Sequence, residues 1–171
     1  LIKIQPFFQG ELDSLCGVYS ICNAYQIVKK SDNEEIEKLF IDILLYLQKR
    51  KKLVDVLVGG MYQSEMSEIL KNVVKDSFIE VIQNFQWSGY DINEFWKYSK
   101  KYLENDNSAI VLSIGGRENH YTVVERMTDN TIFLSDSSGI KTIRKNQCEF
   151  YGYKGEDKYI LHPNGSFFVK G

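Results

Sequence analysis

Three residues of this chain have the types that make an activated thiol, and their positions suit that chemistry: Cys16, His120 and Asp136. Cys16 stands in the stretch Gln9 to Asn23, a polar turn followed by an apolar run at helical spacing. Gly10 and the Asp13-Ser14 pair signal a turn and then a helix start. Asp13 is read as the N-cap, which puts Cys16 in the first helical turn. There the unpaired backbone N–H groups and the helix dipole favour an anion, so a thiol gives up its proton more easily than a free one. Gln9 lies seven positions before Cys16 and offers a side-chain amide to an oxyanion forming near the sulfur. Gln5 is a weaker alternative for that role. Cysteine is also a common core residue, so the type of Cys16 alone decides nothing.

The weight comes from residues a hundred positions further on. Asn119-His120 opens an expected strand directly after the turn that begins at Gly115-Gly116, and Asp136 ends the next one, sixteen residues after His120. Two antiparallel strands joined by a tight turn bring the start of the first beside the end of the second. A carboxylate on one imidazole nitrogen fixes the tautomer and steadies the imidazolium, leaving the other nitrogen for the thiol. Asp136 is equally a residue that caps its own turn. His162, the other histidine, has no carboxylate at a telling interval and is the lesser candidate for a base. Cys22 falls on a different helical face and is assigned to the core. Cys148 carries no signal beyond its type.

These residues need elements to hold them. The central helix is expected from about Ser14 to Lys29, with Val18, Ile21, Cys22, Tyr25 and Val28 inward. Ser31-Asp32-Asn33 caps a second helix, whose apolar face is Ile36, Leu39, Phe40, Ile43, Leu44 and Leu47, and Gln48 to Lys52 is its basic end. Gly59-Gly60 breaks the chain. Gln63 to Lys75 is a third helix, Phe78 to Ile82 a short strand, and Asp91 caps a helix carrying Phe95, Trp96, Tyr98 and Tyr102. Leu1 to Ile4 is an edge strand or lead-in arm, and Phe85, Trp87 and Tyr90 form an aromatic group in a loop. Strands follow over Ala109 to Ile114, Tyr121 to Arg126 and Ile132 to Leu134. Two shorter strands, Lys158 to Leu161 and Ser166 to Val169, are joined by Pro163-Asn164-Gly165. Helices first and an antiparallel sheet afterwards make an α+β domain, with a helical part of about 1–105 and a sheet part of about 106–171 in one unit over 1–171.

Bulk properties narrow the classes of function. A chain of 171 residues fits one domain. It is 43% apolar and 26% charged with a net charge of −2, so no basic field points to nucleic acid or to a membrane surface. No apolar run reaches the ~18–20 residues that span a bilayer. Three widely spaced cysteines are neither a disulfide framework nor a zinc pattern, and no metal or organic cofactor is expected. They fit a reducing compartment, or one bridge and one free thiol. The start at Leu1 is read as a trimmed or processed end, and the chain as a possible part of a larger polypeptide.

Gln9, Cys16-Gly17, Asn119-His120 and Asp136, in that order, resemble the papain-like cysteine peptidases. That family has a glutamine before the nucleophile, Cys-Gly at the start of the central helix, and a histidine opening a strand with Asn or Asp ending the next. Phe133 to Gly139 is similar to the family's segment around the third residue. Aspartate at that point in a compact chain looks more like the bacterial branches, among them the peptidase domains that trim double-glycine leaders and secreted effector peptidases. The interval from Gln9 to Cys16 is longer than usual, no tryptophan follows Cys16-Gly17 or Asp136, and residues 33 to 76 match no one subfamily. The resemblance implies a papain-like fold, a protein or peptide substrate, a Cys16–His120–Asp136 triad and an oxyanion role for Gln9. It also implies a cytoplasmic or secreted-effector setting. The same triad serves deamidases, transglutaminases and amidases, and a catalytically silent binding module is the third expectation.

Overall fold

Val111 and its neighbours are apolar at nearly every position from Ala109 to Ile114, as befits a strand covered on both faces. The computed structural model describes residues 5–74, 78, 80–82, 91–150 and 157–171. In it this run is β2 (Ser108–Gly116), in the interior of a sheet. The other strands are β1 (Glu80–Ile82), β3 (His120–Met127), β4 (Thr131–Ser135), β5 (Thr142–Arg144), β6 (Cys148–Phe150) and β7 (Tyr159–Lys170). Their order is β1-β7-β2-β3-β4-β5, with β6 also on β7. Every pair is antiparallel except β6 with β7, which is parallel.

The period-2 alternation of strand side chains sorts two cores. Ala109, Val111, Tyr121, Val123, Phe167 and Val169 pack with the helices α1 (Cys16–Lys29), α2 (Asn33–Lys49), α3 (Leu53–Gly59) and α4 (Gln63–Asn72). Ile110, Leu112, Ile114, Val124 and Phe168 face the other way, onto α5 (Ile92–Tyr102). The chain is thus α+β, with a sheet between two helical layers. None of the helices among the described residues is long and apolar enough to cross a membrane.

Helix α1 is buried nearly all round because α2 covers one side and the sheet the other. Its polar positions are pins. Ser20 Oγ donates to Tyr121 O at 2.8 Å, and Asn23 exchanges two hydrogen bonds with the backbone of Phe7, at 2.8 and 3.3 Å. The expected face of α2 is the observed one, and Asp32 caps it by accepting from Glu35 N at 3.0 Å. Asp91 likewise accepts from Asn93 N at the start of α5.

Several expectations are corrected. Asp13 is not the N-cap of α1. That position is Leu15, and Asp13 closes the preceding loop, accepting from Leu15 N at 3.0 Å and Gly10 N at 2.8 Å. The two strands expected at 158–161 and 166–169 are one strand, β7. Pro163-Asn164-Gly165 is a bulge in it: Ser113 pairs with His162, and Val111, two residues back on β2, pairs with Phe167. Ser166 Oγ takes over there, accepting from Ser113 N and donating to His162 O at 3.1 and 2.8 Å. Helix α3 and strands β5 and β6 had no counterpart in the sequence reading. Helix α4 ends at Asn72, short of Lys75. The sheet is not confined to residues 106–171, since β1 pairs with β7. The Leu1–Ile4 arm and the Phe85, Trp87 and Tyr90 group lie outside the described residues.

Phe167 on β7 has no exposed surface. Phe167→Ala should therefore cost about 3–5 kcal/mol of unfolding free energy in urea titrations, and loss of the Asp32 cap in Asp32→Ala only about 1 kcal/mol.

Candidate active site

Cys16 is the first residue of α1, so its own N–H and those of Gly17 and Val18 have no partner within the helix. The loop before it is held from both sides. Ser14 N donates to Leu57 O at 2.9 Å and Ser14 Oγ to Val58 O at 3.1 Å, tying the loop to α3. Gly17 has a steric reason for being glycine: a Cβ there would lie 2.9 Å from Met61 Cβ and 3.0 Å from its sulfur. The Cys-Gly pair thus lets the segment between α3 and α4 close over the start of α1.

His120 opens β3, and Ser135, at the end of β4, pairs with Val123. Asp136 is the next residue, and its Oδ2 lies 2.8 Å from His120 Nε2. The other carboxylate oxygen, Oδ1, accepts from Ser138 N at 2.9 Å and Ile140 N at 3.0 Å. Capping its own turn and holding His120 are therefore done together, by different oxygens. With Nε2 committed to Asp136, the remaining ring nitrogen of His120 is Nδ1, and the ring hydrogen-bonds Cys16.

Electrostatics follow from this line. Burial pushes the Cys16 thiol up, but the His120 bond and charge and the N–H groups of Tyr121 and Gly17 outweigh it and leave the thiol below its ordinary value. Burial alone would lower His120. Its bonds to Asp136 and Cys16 and their charges raise it instead to about 9. Burial works against the Asp136 carboxylate too, and His120 holds it below the usual range nonetheless. The other thiols behave oppositely. Burial pushes Cys22 and Cys148 up to about 12, and all three cysteines are free. Cys22 is core, as expected from its face, and Cys148 Sγ donates to Arg144 O at 3.4 Å.

Gln9 is fastened to the turn that carries Asp136. Its N donates to Ser137 O at 3.1 Å, and its Oε1 accepts from Ser137 Oγ at 3.2 Å. That leaves Nε2 pointing its two protons at no acceptor among the described residues. Gln5 is exposed. A cavity of about 600 Å³ opens beside Cys16 and His120, between Gly60, Met61 and Gln63 on one side and His162 and Asn164 on the other. Sequence reasoning missed this wall, because it missed α3 and took the β7 bulge for a turn between strands. Among the described residues no three His, Cys, Asp or Glu side chains are grouped to hold a metal ion.

No protein-family model matches this chain, and no curated protein or solved structure matches it. The chemistry of the site rests on its own geometry.

A lowered Cys16 and a raised His120 favour the thiolate–imidazolium form of the pair over the neutral one. Iodoacetamide below the ordinary thiol range should label Cys16 ahead of Cys22 and Cys148, and the labelling should fall by about an order of magnitude or more in His120→Ala, read by peptide mass mapping. Raising His120 from 6.5 to about 9 stabilises the fold fully below pH 6.5. That stabilisation is lost as pH rises through 9, and urea titrations across this range should show the fall in wild type and not in His120→Gln.

Proposed function

We propose that this chain is a thiol hydrolase of the papain-like kind, a cysteine peptidase acting on a peptide or isopeptide bond. One observation carries the reading: a histidine bonded at 2.8 Å to a buried aspartate on one side and to a helix-start cysteine on the other, with the thiol lowered and the imidazole raised. Buried structural cysteines move the opposite way, as Cys22 and Cys148 do. The order Gln9, Cys16-Gly17, His120, Asp136 and the cysteine at the head of a sheet-packed helix add to the family resemblance.

In this mechanism the Cys16 thiolate attacks the carbonyl carbon, and the carbonyl π electrons move onto oxygen. The oxyanion is met by the free Cys16 N–H and by Gln9 Nε2. As it collapses the C–N bond breaks, and His120 Nδ1 gives its proton to the departing amine. Water then adds to the thioester with His120 as base, releasing the acid and regenerating the ion pair. Asp136 keeps the ring in one orientation and supports its positive charge.

The test is hydrolysis of a fluorogenic peptide library, with ammonia followed in parallel. Cys16→Ala should abolish turnover, and Gln9→Ala should lower kcat by about 10²-fold with the thiol still labelled. Ammonia release without chain cleavage would replace peptidase by deamidase or transglutaminase. A wild-type protein with neither turnover nor selective Cys16 labelling would overturn the reading.

A further inference from the structure

The β7 bulge puts a second histidine into the cavity, and nothing in the proposed mechanism uses it. Ser113 pairs with Tyr121 on one side and with His162 on the other, so Tyr121, Ser113 and His162 form one row across β3, β2 and β7. Tyr121 packs with the α1–α4 core, which places the row on the face of the sheet that carries Cys16. At ~4.8 Å between strands, His162 sits about 10 Å from Tyr121, the neighbour of His120. That is within the span of a substrate residue adjoining the reacting bond.

Glycines make room for the ring. A Cβ on Gly115 would come within 2.5 Å of His162 Nε2, and one on Gly165 would lie 3.2 Å from Ser113 Cβ. The segment is also braced. Ser166 Oγ donates to His162 O at 2.8 Å, and Gln63 Nε2, at the head of α4, reaches Asn164 O at 2.6 Å. The imidazole itself has no hydrogen-bond partner among the described residues. A half-buried, fixed, unpartnered polar ring facing a cavity is a recognition element waiting for a ligand group.

At the His162 end the lining carries no formal charge, since the Cys16–His120 pair lies two strands away. No Asp, Glu, Lys or Arg lines the cavity among the described residues. Burial holds the His162 imidazole below its ordinary value and the Tyr121 phenol up at about 12, so both are neutral near pH 7. A charged substrate side chain reaching His162 would lose its water and meet no opposite charge at that wall, whereas an amide or hydroxyl would find a donor and an acceptor.

We propose that His162 is the specificity-determining residue of this site, selecting a substrate residue with an uncharged, hydrogen-bonding side chain (Gln, Asn, Ser or Thr) next to the bond that Cys16 attacks. The inference rests on the peptidase reading for the identity of that bond, and its test is made independent of turnover.

The full chain carrying Cys16→Ala is passed over a randomised peptide array and binding is read directly. One peptide position should prefer Gln over Glu, and Thr over Val, by about tenfold or more. Adding His162→Leu should erase the preference for Thr over Val. His162→Lys, whose ammonium can extend to solvent, is the second variant and should turn the same position towards Glu. The proposal falls if no peptide is retained, if no position discriminates against charge, or if the preference is indifferent to both His162 variants. Selective binding by Cys16→Ala with no cleavage by wild type would remove the peptidase reading and leave the recognition by His162 standing. Cleavage without the selectivity would do the reverse.

Discussion

A carboxylate with no exposed surface is the constraint around which this molecule is arranged. The Asp136 side chain is wholly covered, and an ionised group so placed is tolerated only when charge and hydrogen bonds replace its lost water. Two backbone N–H groups of the β4–β5 turn and the His120 ring do that here. The turn cannot relax without orphaning the carboxylate, and His120 cannot swing away without leaving a buried charge unpaired. The orientation of His120 is thus a by-product of satisfying Asp136.

The sulfur reaches that ring through equally local devices. Ser20 fastens α1 to the backbone of Tyr121, one residue beyond His120. Asn23 fastens the segment leading to Gln9 onto the same helix. Ser14 ties the intervening loop to α3, and Gly17 admits Met61. Gly17, Ser20 and Asn23 are small or polar residues where a buried helix would otherwise carry hydrophobes. Together they define the height and rotation of α1, and with them the place of Cys16 relative to His120. Apolar packing supplies the cohesion, while these few polar contacts supply the register.

Much of this could be read from the chain. Helical periods, the Asp32 and Asp91 caps and the burial of Cys22 were visible because each rests on short-range pattern. The meeting of His120 with Asp136 was visible because strand, turn and strand leave little choice of where the ends fall. What was hidden had ambiguous local chemistry. Asp13 has the same signature whether it caps a helix or closes a loop two residues earlier. Leu53 to Gly59 is rich in β-branched valine and too short for a period, and becomes helical because α2 and the Ser14 loop receive it. Pro163-Asn164-Gly165 is a turn motif by composition, yet Ser166 supplies hydrogen bonds that let the strand resume after it. Gln9 itself was visible, but its tie to Ser137, 128 residues away, is one that no local pattern encodes.

The position of β7 bears on when the cavity beside Cys16 is completed. This strand follows every other described strand in the chain, yet it lies inside the sheet, between β1 and β2. Cys16 and Asp136 leave the ribosome well before it, but β2, the backbone support of the cavity, has an open edge until β7 inserts. Pairings so distant in sequence carry a large loop-closure cost and form late. Until β7 pairs with β2, a nascent chain therefore carries the Cys16 thiol beside an unfinished cavity.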